Sequence, residues 1–259
     1  MIAGSPEARP NRVVSLDYCA DQLVLKLLPR SRILAVSPDA RKHFSYMRES
    51  ADGVRQVRPL AEDVLSIQPD LIVRSYGGGP HALRFFERAG VSVLQVPYAS
   101  DIDDIRRSIL LIAERLGEGK QGEDLVAEMD RRLSAIRRTE GQKTALYITP
   151  TGVTSGQGTL VHEMLLAAGM ANFEEKGGWR SIPLERLAYE GPDVVVAAFF
   201  DSQSNHPSMW SAMRHPVARR QMSGRPTVML EGAWTSCGGW FLLDAIEAIA
   251  STVPMTALR

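Results

Sequence analysis

The chain has 259 residues, and its 30 basic and 30 acidic residues leave no net charge at pH 7. This balance lacks the basic footprint of proteins that bind nucleic acid or anionic membranes, so no nucleic-acid partner is expected. The length allows one large domain or two modest ones. Every apolar run falls short of the roughly 18 residues that a membrane-spanning helix needs.

The amino-terminal segment 1–11, MIAGSPEARPN, has no apolar core of the kind found in signal peptides and is predicted to be a disordered tail. Two explanations stay open: the protein is cytosolic, or a signal peptide has already been removed from it. The two cysteines, Cys19 and Cys237, do not decide the compartment. They fit equally well as free thiols, as one disulfide, or as small buried residues.

Residues 12–100 are predicted to form a lobe in which short strands alternate with helices. The predicted strands are 12–16, 32–37, 71–75 and 91–97, and the predicted helices are 22–28, 61–67 and 81–90. A polar, irregular stretch at 38–58 and the loop Gly77-Gly78-Gly79-Pro80 interrupt this order. Alternating strands and helices are typical of a parallel sheet covered by helices on both faces.

Residues 101–140 are predicted to be a helical linker with two segments, 101–117 and 119–139. The second segment has apolar residues at a spacing of three to four. About 20 helical residues span roughly 30 Å, the width of a small domain. We interpret this long helix as a rigid connection between two lobes.

Residues 141–259 are predicted to repeat the order of the first lobe. The predicted strands are 144–149, 194–200 and 227–232, and the predicted helices are 160–169, 208–221 and 241–252. The fold class is therefore α/β, with two Rossmann-like lobes, parallel sheets, and one long helix between them.

One phrase occurs in both lobes, as AEDVLSIQPDLIV at 61–73 and LERLAYEGPDVVV at 184–196. Glu62 and Glu185 lie 123 positions apart, and the Pro-Asp pairs have the same separation. Each copy predicts a short helix that ends at Pro-Asp and then an apolar strand buried on both faces. The repetition indicates a duplicated lobe rather than a short-period solenoid.

The Gly-rich segment SGQGTL at 155–160 follows a strand and precedes a helix, where backbone N–H groups can hold a phosphate. It lacks the Lys-Ser/Thr of a P-loop and the full G-x-G-x-x-G spacing, so a tight turn is the preferred interpretation. The five histidines have no metal-ligand spacing and no cysteine has a Cys-x-x-Cys partner, so neither a metal site nor a cofactor is predicted.

Aromatic residues gather at or just beyond the carboxyl ends of predicted strands in both lobes. They are Tyr18, Tyr76, Tyr98, Phe199, Phe200, Trp234 and Trp240, with Trp179 in an irregular stretch. Ligands of open α/β sheets bind at the carboxyl ends of the strands. We therefore predict an apolar cleft for a large, flat ligand.

Glu62 and Glu185 each lie in the first turn of a predicted helix. A carboxylate there stabilises the helix dipole by about 0.3–1 kcal/mol, and on helix physics alone that role is sufficient. The alternative is a matched pair of surface anions, one per lobe, that dock on a basic partner.

The order of these motifs resembles a known family. The strand VVSL, the phrase E-x-x-L…P-D-L-I-V, the long central helix, T-S-G-x-G-T-L and the second L-E-x-L…P-D are similar to the periplasmic solute-binding proteins of iron-siderophore, haem and cobalamin ABC importers. The similarity covers residues 12 to about 252 and is greatest to the cobalamin binders. It implies two Rossmann-like lobes joined by one helix, with the ligand in a cleft between them.

The resemblance also implies roles for individual residues. Glu62 and Glu185 match the glutamates that pair with arginines of the membrane permease. The ligand loops of the family match segments that hold Tyr18, Cys19, Ser75, Tyr76, Thr154, Trp179 and Trp234; Tyr98, Phe200 and Cys237 complete the candidate set. No clear arginine cluster for an anionic ligand is present, and Arg74 and Arg180 are the only candidates. Cys19 and Cys237 would pair, or contact ligand, if both face the cleft.

The leading hypothesis is therefore a monomeric, non-enzymatic periplasmic binding protein whose signal peptide has been removed. It would bind cobalamin, haem or a siderophore and deliver the ligand to a permease. The main alternative is a cytosolic two-domain α/β enzyme that binds a nucleotide at SGQGTL, and a third is a metal-ion binding protein of related architecture.

Overall fold

A computed structural model of the chain describes residues 9–136, 143–199 and 215–252. The chain divides into two compact units. Unit 1 comprises Met1–Tyr98 and Arg106–Ala127, and unit 2 comprises Ala99–Ile105 and Glu128–Arg259. Phe200 and the first part of the predicted helix 208–221 lie outside the described residues.

Unit 1 contains a four-stranded parallel sheet with the strand order β2-β1-β3-β4. The strands are β1 (Val13–Ser15), β2 (Ile33–Ala35), β3 (Leu71–Arg74) and β4 (Ser92–Gln95). The helices between them are α1 (Tyr18–Leu27), α2 (Ala61–Ser66) and α3 (Gly79–Arg88). All four residues of β3 are buried, as predicted for a strand covered on both faces.

Two helices follow, α4 (Ile102–Arg115) and α5 (Gly119–Ala135), and the boundary between the units falls within each of them. Gly117 makes the turn between the helices with a φ of +70°, which L side chains rarely adopt. Gly122 lies directly against Ala113, where a β-carbon would clash. The predicted helical segments are present, but α5 has 17 residues and spans about 25 Å.

Unit 2 contains a second parallel sheet with the order β10-β9-β5-β7 and a separate antiparallel pair, β6-β8. The strands are β5 (Thr144–Ile148), β6 (Val153–Ser155), β7 (Ala171–Asn172), β8 (Trp179–Ser181), β9 (Val194–Phe199) and β10 (Thr227–Glu231). The helices are α6 (Leu160–Ala167), α7 (Leu184–Leu187), α8 (Pro216–Met222), α9 (Gly232–Thr235) and α10 (Leu242–Ser251).

The repeated phrase has the same structure in both units. Asp70 accepts hydrogen bonds from the backbone N–H groups of Asn11 and Arg12 at 2.8 and 3.0 Å. Asp193 accepts from the N–H and hydroxyl of Thr144 at 2.8 and 2.9 Å. Each Asp thus ties the start of its own strand to the start of the neighbouring one. The duplication predicted from the sequence is therefore visible at the level of individual hydrogen bonds.

The core of each unit lies where its sheet meets the helices of the repeated phrase. In unit 1, the cluster includes Val14, Ile72, Val64 and Phe86, all fully buried. In unit 2, the matching cluster includes Leu146, Ile148, Phe173, Leu187 and Val195. Burying a side chain of this size stabilises a fold by about 1.5–3 kcal/mol.

Residues 9–11, placed by the sequence in a disordered tail, are held against unit 1. Arg9 forms an ion pair with Glu118, and the carbonyl of Pro10 accepts a hydrogen bond from Arg32 at 2.6 Å. Arg32 also pairs with the buried Glu118 at 2.6 Å. A buried carboxylate needs charged or hydrogen-bonding partners. Arg9 supplies one of them to Glu118, so residues 9–11 pack against unit 1.

Candidate functional site

Asp17, in the loop between β1 and α1, organises the carboxyl end of the sheet in unit 1. Its Oδ1 caps α1 by accepting from the N–H of Ala20 at 3.0 Å. Its Oδ2 accepts from the N–H groups of Ser75, Tyr76 and Gly77 at 2.7, 3.0 and 2.9 Å. One buried carboxylate therefore fixes two loops, and the sequence analysis did not single it out. The only sequence signal for this role is that Asp is a favoured N-cap residue at the start of a helix.

An aromatic cluster lies on these loops. Tyr18 packs edge-on against Tyr76 and Phe44, with ring centroids 5.9 and 4.9 Å apart, and His43 lies 5.3 Å from Phe44. Tyr76 remains 54% exposed. The structure thus brings together two of the predicted ligand residues and adds Phe44, while a third predicted residue, Tyr98, is exposed on the loop after β4.

The segment that carries Phe44 is held by two buried side chains of α1. Asp21 accepts from the Ser37 hydroxyl at 2.5 Å and from its N–H at 3.0 Å. Gln22 accepts from the N–H of Met47 at 2.7 Å and donates to the Ser45 hydroxyl at 3.0 Å. This irregular segment therefore has a defined position although it contains no strand or helix.

Carboxylates make the surroundings of the aromatic cluster electronegative. Burial raises the pKa of Tyr76, and nearby Tyr18, Asp17 and Asp39 raise it further. The pKa of Tyr18 is also raised, chiefly by burial. Burial also raises the pKa of Asp21 to about 6, against the hydrogen bonds from Ser37. The phenols are thus held in their neutral form.

Arg74, at the carboxyl end of β3, is buried and has few hydrogen-bond partners. Its guanidinium donates to the carbonyl of Gly79 at 3.4 Å, and its Nε has no partner among the described residues. The neighbouring Ser75 hydroxyl is also buried without a partner in the described part of the chain. In the described ranges, Arg74 forms no ion pair with a carboxylate.

Trp179 is an exposed aromatic residue of unit 2. It lies on β8, packs edge-on against the buried Tyr147 with centroids 6.1 Å apart, and is 55% exposed. The antiparallel pairing of β6 and β8 places Thr154 opposite Arg180. The Thr154 hydroxyl is buried and has no partner among the described residues, while Arg180 lies 3.9 Å from Glu174.

The other predicted site residues have different surroundings. Trp234 is half-buried on α9, whereas Trp240 is buried in the core against Phe241 with centroids 5.2 Å apart. Trp240 therefore packs the core, although its position after a strand suggested a pocket residue. Cys19 and Cys237 are half-buried, and neither is a free thiol.

The SGQGTL loop is closed by its own contacts. Thr159 caps α6, accepts from the hydroxyl of Ser155 at 2.6 Å, and donates to the carbonyl of Gly156 at 2.7 Å. The N–H of Gly156 donates to Gly178 at 3.0 Å, and a β-carbon at Gly156 would strike the backbone of Lys176. These N–H and hydroxyl groups are engaged, so the loop is a packed turn and the nucleotide-enzyme interpretation is not supported.

Glu62 and Glu185 are exposed on α2 and α7 and form no ion pair with any described residue. Their charged neighbours do form pairs: Asp63 binds Arg58 at 2.6 Å, and Arg186 binds Glu190. In each copy, one carboxylate is left available to a partner.

Within the described residues, no three His, Cys, Asp or Glu side chains gather where they could hold a metal ion. No helix in the same ranges is long and apolar enough to cross a membrane.

The model of the periplasmic binding protein family matches residues 13–208, about three quarters of the chain. The chain belongs to this family. The match includes both copies of the repeated phrase, β1 to β9 and the aromatic cluster of unit 1. Membership of the family confirms the resemblance seen in the sequence.

Known relatives agree with this assignment. An uncharacterized ABC transporter substrate-binding lipoprotein of Bacillus subtilis is 24% identical over 202 residues, covering 72% of this chain and 63% of the relative. A cobalamin-binding protein of Halobacterium salinarum is 25% identical over 200 residues, covering 73% of this chain and 54% of the relative. The aligned region is thus less than two thirds of either relative's length.

A solved structure shares the fold. A periplasmic haem-binding protein from Pseudomonas aeruginosa superposes with a TM-score of 0.73 at 22% identity, covering 93% of this chain and 92% of that one. At this identity the likeness concerns the fold alone, and it confirms the predicted α/β class with parallel sheets.

Proposed function

We propose that this protein is the solute-binding component of an ABC importer and that it binds a large corrin-like ligand of the cobalamin class. In this role it is a monomer in the periplasm, with its signal peptide removed, and it catalyses no reaction. The proposed ligand contacts are Tyr18, Cys19, Ser75, Tyr76, Tyr98, Thr154, Trp179, Phe200, Trp234 and Cys237. Glu62 and Glu185 would dock the protein on the importer's permease.

The observation that carries the ligand class is the aromatic cluster of Tyr18, Phe44 and Tyr76 within reach of buried carboxylates. Aromatic faces pack well on flat conjugated rings. The carboxylates of Asp17 and Asp39 oppose a ligand that brings further negative charge. An electroneutral corrin meets both conditions, whereas a ferric hydroxamate siderophore has no flat conjugated ring and does not meet the first.

Haem is disfavoured for a related reason. Tyrosine can serve as an axial ligand to haem iron, and it does so most readily as the phenolate. Burial raises the pKa of both Tyr18 and Tyr76 and so favours their neutral phenol forms. Haem also carries two propionates, which would add negative charge beside Asp17. The relative that binds cobalamin supports the same choice.

Permease docking is supported by the charge arrangement of the repeated phrase. In each copy, a charged neighbour of the glutamate forms an ion pair, Asp63 with Arg58 and Arg186 with Glu190, whereas the glutamate itself forms none among the described residues. An exposed, unpaired carboxylate on a fixed helix is suited to a basic partner surface. The two copies supply one such group each.

The ligand class is tested by titrating the protein with cyanocobalamin, haemin and a ferric hydroxamate siderophore, followed by tryptophan fluorescence and by calorimetry. We expect saturable cyanocobalamin binding with a micromolar or lower Kd, and Kd values at least about tenfold higher for the other two. Tyr76→Ala should weaken cobalamin binding, whereas Phe85→Ala, another exposed aromatic position in unit 1, should not. Preference for haemin or the siderophore would contradict the proposed ligand.

A further inference from the structure

Tyr189 is the most exposed large hydrophobic side chain in the described part of the protein, with 92% of its surface accessible. It lies four residues after Glu185, just past the end of α7. Residues four apart on a helical turn are neighbours on one face. Helical hydrogen bonds continue past α7, from Ala188 to Leu184 and from Glu190 to Arg186. Glu185 and Tyr189, both exposed, therefore lie about one helical turn apart on the surface of unit 2.

The turn that presents Tyr189 is fixed from the α7 side. Arg186 donates to the carbonyl of Phe173 at 2.5 Å, and its guanidinium lies 4.2 Å from the centre of the Phe173 ring. Arg186 also pairs with Glu175 at 3.0 Å and with Glu190. The N–H of Tyr189 donates to the carbonyl of Arg186 at 3.0 Å, so the tyrosine backbone is tied to this network.

The turn is fixed from the β9 side as well. Arg225 donates to the carbonyl of Pro192 and to that of Gln221, both at 2.5 Å. Gly191 lies so close to Arg225 and Gln221 that a β-carbon there would clash. Tyr189 therefore projects from a backbone anchored at both ends, and its exposure is not the result of a loose loop.

The first copy of the phrase has a different residue at this position. The separation of 123 that relates Glu62 to Glu185 also relates Ser66 to Tyr189. Ser66 is exposed on α2, and its hydroxyl donates to the carbonyl of Asp63 at 2.8 Å. One copy thus presents a carboxylate beside a small, internally bonded hydroxyl, and the other presents a carboxylate beside a free aromatic ring.

We propose that Tyr189 and Glu185 form one binding element for the importer's permease, with the ring entering an apolar recess next to the basic residue that pairs with Glu185. This inference rests on the proposed function and identifies the stronger of the two docking elements. Tyrosine is enriched among the residues that dominate binding energy because it buries a large rigid area at small entropic cost. Because the backbone at Tyr189 is already anchored, little backbone freedom is lost on binding.

The test measures binding of the full-length protein to the permease–ATPase complex of its importer in lipid nanodiscs by biolayer interferometry. Tyr189→Ser, which copies the residue of the first phrase, should raise the Kd about tenfold, the effect of losing an interface tyrosine. Tyr189→Phe should bind as the wild type does, because the ring carries the contact. Tyr189→Lys should bind more weakly than Tyr189→Ser, since it places a cation on a basic partner.

Met229→Thr is the matched control, since Met229 is also exposed in unit 2 and lies on β10. It should leave docking unchanged, and all variants should keep the wild-type thermal midpoint and cobalamin affinity. Wild-type docking by Tyr189→Ser or Tyr189→Lys, with docking lost in Glu185→Arg, would overturn this inference and leave the proposed function standing. Wild-type docking by Glu185→Arg would overturn both. A wild-type dimer that Tyr189→Ser dissociates would assign the ring to self-association and overturn the inference.

Discussion

The two units share a strand–helix frame but fix the loops at the carboxyl ends of their strands with different chemical groups. In unit 1, the buried carboxylates of Asp17 and Asp21 hold the loops after β1, β2 and β3. In unit 2, hydroxyls and glycines hold the loop instead: the Ser155 hydroxyl donates to the Thr159 hydroxyl, which donates to the carbonyl of Gly156. The two units keep the same strand–helix scaffold, whereas the groups that fix the loops differ between them.

The difference in how the two units fix their loops is clear at one pair of corresponding positions. The strand registers pair Val13 with Leu71 and Ala145 with Val194, so Asp17 corresponds to Thr149. Asp17 binds four backbone N–H groups in two loops. Thr149 closes only its own turn, by accepting from the N–H of Val153 at 3.1 Å. The comparison predicts that unit 1 depends on a single side chain far more than unit 2 does.

Asp17→Ala is expected to have the largest effect on stability. It leaves three loop N–H groups and one helix N-terminus without an acceptor, and each buried unpaired donor costs about 1–3 kcal/mol. We expect the free energy of unfolding to fall by about 4 kcal/mol. The matched variant Thr149→Ala loses hydroxyl contacts confined to its own turn, with Thr151 and Val153, and should cost about 1 kcal/mol.

Urea unfolding followed by far-UV circular dichroism measures both variants. All four tryptophans belong to unit 2, so fluorescence shows whether a loss reaches beyond unit 1. Equal losses in the free energy of unfolding for Asp17→Ala and Thr149→Ala would contradict the predicted difference between the units.

Asp21→Asn tests the electrostatic side of the same comparison. Burial raises the pKa of Asp21 to about 6 in the folded protein, against about 3.9 when unfolded. Its contribution to stability is therefore fully present below about pH 4 and is lost as the pH rises through about 6. At roughly 1.4 kcal/mol per pKa unit, the wild type should lose up to about 3 kcal/mol from this group between about pH 4 and pH 8.

The asparagine variant has no carboxylate to ionise, so this part of the pH dependence should disappear. Its amide oxygen can still accept from the Ser37 N–H, and its NH2 can donate to the Ser37 hydroxyl. The measurement is urea unfolding at a series of pH values. The same pH slope in the wild type and in Asp21→Asn would show that Asp21 does not titrate in this range.

How far the sequence determines these features can be judged from particular residues. The Pro-Asp phrase was readable because its helix end and buried strand are local signals. Tyr18 and Tyr76 were found because both follow predicted strands. Their contact is held by Asp17, whose partners lie 58 to 60 positions away, and no local pattern reports such a bond.

Other features also depend on contacts that no local sequence pattern shows. The SGQGTL segment resembles a phosphate loop locally, but its glycine fits against the backbone of Lys176, 20 positions later. Trp240 follows a strand as a pocket residue would, yet it packs into the core against Phe241. Tyr189 was passed over because nothing in the sequence shows that its turn is anchored by Arg186 and Arg225. For the SGQGTL loop and for Tyr189, the deciding contacts come from Lys176 and Arg225, which lie 20 or more positions away in sequence.

The central claim is that the protein binds its ligand with one set of residues and delivers it with another. The most direct test is uptake of radiolabelled cyanocobalamin by cells that carry the importer, with the double variant Glu62→Arg and Glu185→Arg as the only source of the binding protein. We predict that uptake is abolished while the Kd for cyanocobalamin stays at the wild-type value, because an arginine repels a basic permease surface and neither glutamate is a proposed ligand contact. Normal uptake, or loss of ligand affinity in the purified variant, would contradict the account.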